Sequence, residues 1–397
     1  MAPRDPLIER MRCFGTTIFA QMSDLAAATG AIDLGQGFPD EDGPAEVLAA
    51  AVQAIRDGRN QYPPGRGVAE LRQAIAEHQR HWYGIELDPG SQVLVTVGAT
   101  EAIAAVILAL CDTGDEVVMF EPYFDSYAAV TALAGAVRRT VPLRFPEYAL
   151  DEAQLRAAFG RRTRLVVLNT PHNPTGKVFT RAEVELVCAV AREHDAWVVT
   201  DEVYEHLTFD GAPHVPAATM PGMFDHVLTI GSAGKTFSAT GWKVGWVTGP
   251  EAAVTAVTTV KQFLTYVGSG PFQPAVAMGL RLPDERFTAF AATLQHKRDL
   301  LVSGLTAAGL PVNRPKGTYF VIADAAPLGV RDAAEFCREL PARCGVVAVP
   351  VSVFHDDPVA CGATSLLRFA FCKREPVLTD AATRLARLGA GHQPPRR

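Results

Sequence analysis

From about Gln92 onward the chain repeats one unit: a short aliphatic run, a turn rich in small or polar residues, then a helical pattern. Val93–Val97, Val117–Phe120, Leu165–Leu168 and Trp197–Thr200 are β-branched and too short for buried helices, so they read as buried strands. Strands separated by helices are parallel, and such sheets are open, covered on both faces and bind ligands beyond the carboxyl ends of their strands. The strand ends here are chemically rich. They carry Gly98-Ala99-Thr100, Glu121 to Tyr127, Asn169-Thr-Pro-His-Asn-Pro-Thr-Gly176 and Asp201-Glu-Val-Tyr204. The sequence therefore predicts an α/β fold on a mostly parallel sheet.

One further stretch, Ile230 to Val247, organises the rest. The apolar run His226–Ile230 ends in a small-residue turn presenting Ser232 and Lys235, and Gly241-Trp242-Lys243 leads into a second run, Val244–Val247. That second run follows closely enough to pair antiparallel. A lysine between two buried strands is desolvated, which favours the neutral, nucleophilic amine and suits it to Schiff-base chemistry. Lys243 supplies a nearby cation or a phosphate ligand. A surface hairpin with two exposed lysines is the competing reading.

The remainder of the chain frames this core. Phe19–Ala28 is a short amphipathic helix, followed by Ile32-Asp-Leu-Gly-Gln-Gly-Phe-Pro-Asp40, where Gly35 and Gly37 permit close backbone approach. Pro44–Ile55 and Val68–Tyr83 read as helices flanking the loop Asn60–Gly67. Glu285–Ala308 is one long helical pattern, a bridge into a smaller unit whose strand candidates are Gly317–Ile322, Val346–Pro350 and Leu366–Phe371. The expected division is an N-terminal arm that joins the smaller unit (1–45), a large domain (46–284), a small domain (285–388) and a disordered tail (389–397). At 397 residues and 48% hydrophobic, the chain can fill cores for two such domains.

Charge and cysteine usage narrow the function. A net charge of −6, without long basic runs, argues against nucleic acid or anionic membrane as the main partner. Seven scattered cysteines without a Cys-x-x-Cys pair suggest neither a zinc site nor a disulfide framework, and the ten histidines form no evident metal cluster. The longest apolar stretch, Ala102–Cys111, is too short to span a bilayer, and the N-terminus does not read as a secretory signal. A soluble, cytoplasmic protein is expected.

Taken together, the strand ends supply groups that fit one cofactor. The turn at Gly98-Ala99-Thr100 opens a helix whose amides and dipole can hold a phosphate. Asp201 can pair with a pyridinium nitrogen, or cap a helix. Asn173 and Tyr204 can hydrogen-bond a phenolic ring oxygen, or serve in turn formation and packing. Phe124 can stack on a ring face or be core, and Ser232 can reach the phosphate or cap a turn. Arg368 lies inside an apolar strand and needs an anionic partner, either a substrate carboxylate gripped in bidentate geometry or a structural salt bridge. His172 reads as structural.

At Asn169–Gly176, Asp201–Tyr204 and Ser232-Ala-Gly-Lys-Thr-Phe-Ser238 the chain resembles the class I aminotransferases, which are fold-type-I pyridoxal 5'-phosphate enzymes. The likeness runs from about Gly15 to Lys373. Leu34–Asp40, Glu121–Asp125 and Lys235–Lys243 carry a closer similarity to the kynurenine, glutamine and methionine aminotransferase branch, which includes actinobacterial N-succinyldiaminopimelate aminotransferases. The resemblance implies a large domain on a mostly parallel seven-stranded sheet, a smaller α+β domain and a homodimer with shared active sites. It implies that Lys235 forms the Schiff base with the cofactor, Asp201 binds the pyridine nitrogen, Asn173 and Tyr204 contact the ring oxygen, and Phe124 stacks on the ring. Ala99, Thr100, Ser232 and Lys243 would hold the phosphate, with Tyr62 reaching it from the neighbouring subunit. Arg368 would bind the substrate α-carboxylate, helped by Asn173 and the backbone at Gly37, with Phe19 in the pocket wall. Thr100 and Val267 depart from the kynurenine-type pattern, which has an aromatic and a histidine there, and Phe19 replaces a tryptophan. Arg66 is either solvated or a ligand for a distal carboxylate. The implied reaction is ping-pong transamination between an L-α-amino acid and a 2-oxo acid. The alternative is β-elimination from cysteine S-conjugates by the same residues, and no metal is implied.

Overall fold

The computed structural model describes residues 6–15 and 17–388. The expected disordered tail, 389–397, lies outside the described residues. Seven strands form the central sheet, in the order Val93–Val97, Val244–Thr248, Val227–Ser232, Trp197–Asp201, Thr163–Asn169, Glu116–Glu121 and Val137–Pro142. Val244–Thr248 runs antiparallel to both its neighbours, and the other adjacent pairs are parallel. The antiparallel strand is the one reached by the short connection after the lysine turn, whereas parallel neighbours need helical crossovers. Three of the inner strands are buried at every residue and a fourth at every residue but Trp197, as a sheet covered on both faces requires.

The edge strand Val137–Pro142 was not among the sequence candidates. Arg138 and Arg139 interrupt its apolar pattern, and one side faces solvent. Arg139 instead pairs with the nearly buried Glu116 of the neighbouring strand at 2.7 Å, a common way to keep a sheet edge soluble.

A three-stranded antiparallel sheet, ordered Val349–Pro350, Leu366–Ala370 and Phe320–Asp324, lies in the C-terminal part of the chain. Two strand expectations are corrected here. The Gly317–Ile322 candidate begins only at Phe320, because Gly317 packs so tightly that an added Cβ would sit 2.7 Å from Pro171, and Thr318 takes φ +63°. Val346–Pro350 splits in two: Val346–Val347 pairs parallel with Ile32–Asp33, and Val349–Pro350 pairs with Leu367–Arg368. The first of these pairings ties the N-terminal segment to the C-terminal part of the chain and brings the Gly35 carbonyl to Arg368.

The long helix spans Asp284–Ala307, and the N-terminal helices are Ile18–Thr29, Ala45–Arg56 and Ala69–Tyr83. Pro44 caps the second of these, as its fixed φ suits. No helix among the described residues is long and apolar enough to cross a membrane.

Candidate active site

The helix Gly98–Leu110 starts directly at the end of the strand Val93–Val97. Gly98 takes φ +73°, and a Cβ there would lie 3.2 Å from Lys243 Nζ. The ammonium group therefore sits over the helix N-terminus, where unpaired amides already attract an anion. Lys243 is itself in a left-handed conformation (φ 53°), which turns it back toward this point. Gly245 is required for the same close approach, since a Cβ on it would lie 2.6 Å from the Gly98 carbonyl carbon. Ala233–Thr236 form a single helical turn capped by Ser232, whose Oγ accepts from the Gly234 amide at 3.2 Å. Ser232 thus caps a turn and also lines the cavity.

One cavity collects Ala99, Thr100, Phe124, Asn173, Asp201, Tyr204, Ser232, Lys235 and Lys243, all candidates from the sequence. It also includes Ile103, Tyr127, Asn169, Val203, Gly234 and Thr240, which sequence reasoning did not single out. Tyr127 and Asn169 shape it most. The Tyr127 hydroxyl donates to Asp201 Oδ2 at 2.6 Å. Asn169 Nδ2 donates to the Asp201 carbonyl at 2.8 Å, and its Oδ1 accepts from the Asn173 amide at 2.7 Å. Both residues stood at strand ends in the sequence, which was the available signal. Only the fold reveals that both converge on Asp201.

Burial sets the ionisation of the two charged groups at the centre. Asp201 is buried, and desolvation pushes its carboxyl up to about 6, against the opposing hydrogen bond from Tyr127. Desolvation also pulls the Lys235 amine down to about 8. Among the described residues nothing hydrogen-bonds Lys235 Nζ, which lies 5.9 Å from the Tyr204 ring centroid and 5.8 Å from that of Tyr319. A folded-state value below that of the unfolded chain means that the charged lysine is penalised in the fold. The penalty is fully present below pH 8 and fades as pH rises from 8 toward 10.5. The cofactor-free Lys235→Met variant is therefore expected to melt at a higher temperature than the cofactor-free wild type below pH 8. Melting curves across pH 7 to 10.5 should show that gap closing; a gap independent of pH would contradict the assignment.

Arg368 lies at the other end of the site, 1% exposed. Its Nη2 donates to the Gly35 carbonyl at 2.8 Å and its Nη1 to Asn173 Oδ1 at 3.2 Å. Its Nε is buried with no partner. Phe19, Phe320 and Phe354 surround the guanidinium at 5.0, 4.1 and 5.2 Å. No carboxylate pairs with it among the described residues, so the structural salt bridge weighed from the sequence is absent. Desolvation draws its ionisation down to about 10.

Gly37 lies nearby. Its carbonyl accepts from the Tyr319 hydroxyl at 2.6 Å, and a Cβ there would strike the Phe320 ring. The backbone group that touches Arg368 is that of Gly35. Tyr62 stands outside this cavity, 81% exposed and edge-on to Tyr266 at 5.5 Å. Arg66 is neither fully solvated nor in the cavity; its Nη2 donates to the Ser91 carbonyl at 2.5 Å. His172 is buried and bonded to Thr175 Oγ1 at 2.8 Å, as its structural reading predicts.

The family model for aminotransferase class I and II matches residues 29–385. The solved structure of N-succinyldiaminopimelate aminotransferase from Mycobacterium tuberculosis is 49% identical, with a TM-score of 0.94, covering 96% of this chain and 100% of that one. The methionine aminotransferase of Escherichia coli is 40% identical over 97% of this chain and 99% of its own length. Human kynurenine–oxoglutarate transaminase 1 is 37% identical over 89% and 91% of the two chains. Enzymes of this class use pyridoxal phosphate, and the match spans both the lysine turn and Arg368. The chain belongs to the class I and II aminotransferases.

Proposed function

We propose that the enzyme moves the amino group of an L-α-amino acid to a 2-oxo acid in two successive half-reactions at this one cavity. In this reading residues 46–284 hold the cofactor, while 1–45 and 285–388 complete the substrate site. Two copies of the chain share their sites, with Tyr62 of one reaching the phosphate in the other. The cytoplasm is the proposed compartment.

The residues present fit pyridoxal phosphate. The Gly98 turn under Lys243 leaves room for an anion and no room for a side chain. Asp201, raised by burial, has no cationic partner within hydrogen-bonding distance among the described residues and suits a protonated ring nitrogen. When bound, the cofactor supplies an electrophilic carbon and a ring that withdraws electrons from the substrate's Cα. Asp201 would keep the ring nitrogen protonated, Tyr127 and Asn169 hold Asp201 in place, and Phe124 and Val203 line the space the ring would fill. Lys235 Nζ, neutral at moderately alkaline pH, would take the proton from the substrate's Cα. Asn173 links the two ends of the site, since its amide is fixed by Asn169 and its Oδ1 by Arg368.

The single observation that carries the substrate class is Arg368: a buried guanidinium with an unpartnered Nε and no carboxylate of its own. A substrate α-carboxylate satisfies it, and the phenyl rings around it exclude competing water. Arg368→Lys keeps the charge and loses the fork. It is expected to raise KM for the amino acid about 10- to 100-fold, the loss of one charge-assisted hydrogen bond, while the cofactor's absorbance is unchanged. An unaltered KM would contradict this role.

Among donors and acceptors, the 49% identity to the mycobacterial enzyme supports N-succinyldiaminopimelate with glutamate as the pair. The test is a kcat/KM comparison of that pair with methionine, glutamine and kynurenine. A tenfold preference for one of the latter would overturn the substrate assignment. Pyruvate released from a cysteine conjugate without an amino acceptor would mark the β-elimination alternative.

A further inference from the structure

Next to Tyr204 in the chain is a second cluster of donor groups, none of which lines the cavity just described. Glu205 and His206 follow Tyr204 directly, and His78 reaches them from the helix Ala69–Tyr83. One donor atom from each of the three lies within 4.8 Å of the others. His78 Nε2 and His206 Nε2 are 2.7 Å apart, and Glu205 Oε1 is 4.0 Å from His206 Nε2. All three side chains are nine-tenths or more buried.

We propose that His78, Glu205 and His206 bind a divalent transition ion, with zinc the ion favoured by two imidazoles and a carboxylate.

The hydrogen bonds around the cluster prepare it for a metal. His78 Nδ1 lies 3.1 Å from the Leu280 carbonyl, an acceptor only, so Nδ1 carries the proton and Nε2 presents a lone pair toward His206. That is the outer contact metal-bound histidines usually make. The Tyr83 hydroxyl and Gln79 Nε2 (3.2 Å) both hold Glu205, fixing the carboxylate as an outer shell would. Two further buried polar atoms lack a partner among the described residues: Gln79 Oε1 and Nδ1 of His214, whose side chain is 3% exposed. Without an ion, the two imidazoles share one proton between their Nε2 atoms. Binding moves the His206 proton from Nε2 to Nδ1 by exchange with solvent and parts the nitrogens to about 3.3 Å, the separation that zinc–nitrogen bonds of about 2.05 Å give in a tetrahedral site. The nitrogens need to part by about 0.6 Å and the rings to turn until both lone pairs meet at the ion. A cavity lined by Trp82, Tyr83, Glu205, His206, His214 and Phe287 gives entry from solvent and leaves room for a water as fourth ligand. Occupancy would tie the helix Ala69–Tyr83 to the turn that carries Tyr204.

The experiment is equilibrium dialysis of the tag-free, cofactor-loaded enzyme against zinc chloride after chelator treatment, with metal content measured directly. The expected result is one zinc per chain, with at least a tenfold loss of affinity in His78→Gln and in His206→Gln. Because those variants can lose their fold, wild-type crystals soaked in zinc provide a second reading. Anomalous density between His78 and His206 supports the site. Wild-type protein that binds no more zinc than the variants, or anomalous density found only elsewhere, overturns it.

Discussion

Lys235→Ala is expected to lower kcat by about 10⁴-fold or more, at or beyond the top of the range for loss of a general acid–base group. Two functions of the side chain disappear together in this variant. The amine proposed to hold the cofactor covalently is gone, and with it the amine that lines the cavity beside Asp201. Neighbouring groups cannot substitute. Lys243 is engaged over the helix N-terminus, and Tyr204 is pushed further from ionisation by burial. The fold should survive, because Lys235 makes no hydrogen bond among the described residues, and removing a desolvated amine does not cost stability. The check is steady-state turnover alongside circular dichroism and melting temperature, with added small primary amines as a rescue. Partial rescue supports proton transfer at this position. Retained wild-type turnover would contradict the whole assignment.

Asp201→Asn comes second, with an expected loss of about 10²- to 10³-fold in kcat, typical of removing one preorganised electrostatic partner. The amide keeps the shape and the contact with Tyr127 but cannot stabilise a positive ring nitrogen. Tyr127→Phe is the control. It removes one hydrogen bond to the carboxylate and is expected to cost about tenfold or less. The pH dependence follows from the same group. Burial holds the Asp201 carboxyl near 6 in the cofactor-free protein, so it is neutral below that value and cannot pair with a pyridinium. Cofactor affinity measured by fluorescence titration should fall as pH drops through 6 in the wild type and stay flat in Asp201→Asn. Parallel curves would remove Asp201 from the ring-nitrogen role.

Much of this site was legible in the sequence because most of its groups sit at the carboxyl end of a short apolar run. Val93–Val97, Trp197–Asp201 and Val227–Ser232 are recognisable strands, and the physics of open parallel sheets says where their ends point. The antiparallel course of Val244–Thr248 followed from the shortness of its connection. What escaped notice depends on partners distant in the chain. Tyr127 matters because its hydroxyl meets Asp201, 74 residues away, and Gly35 matters because Val346–Val347 draws the N-terminal segment toward Arg368. The edge strand Val137–Pro142 was hidden by its arginines, whose partner Glu116 belongs to another strand. The two histidines of the second cluster are 128 residues apart, and no sequence spacing joins them.

The most direct test of the central claim is a single half-reaction followed by absorbance. Purified enzyme reconstituted with pyridoxal phosphate is mixed with one equivalent of an amino acid and no acceptor. Transamination at Lys235 predicts that the aldehyde-form band converts stoichiometrically to the pyridoxamine band, with one equivalent of 2-oxo acid released, and that adding a 2-oxo acid reverses it. A cofactor band that no amino donor alters, in protein that binds the cofactor fully, would contradict the account.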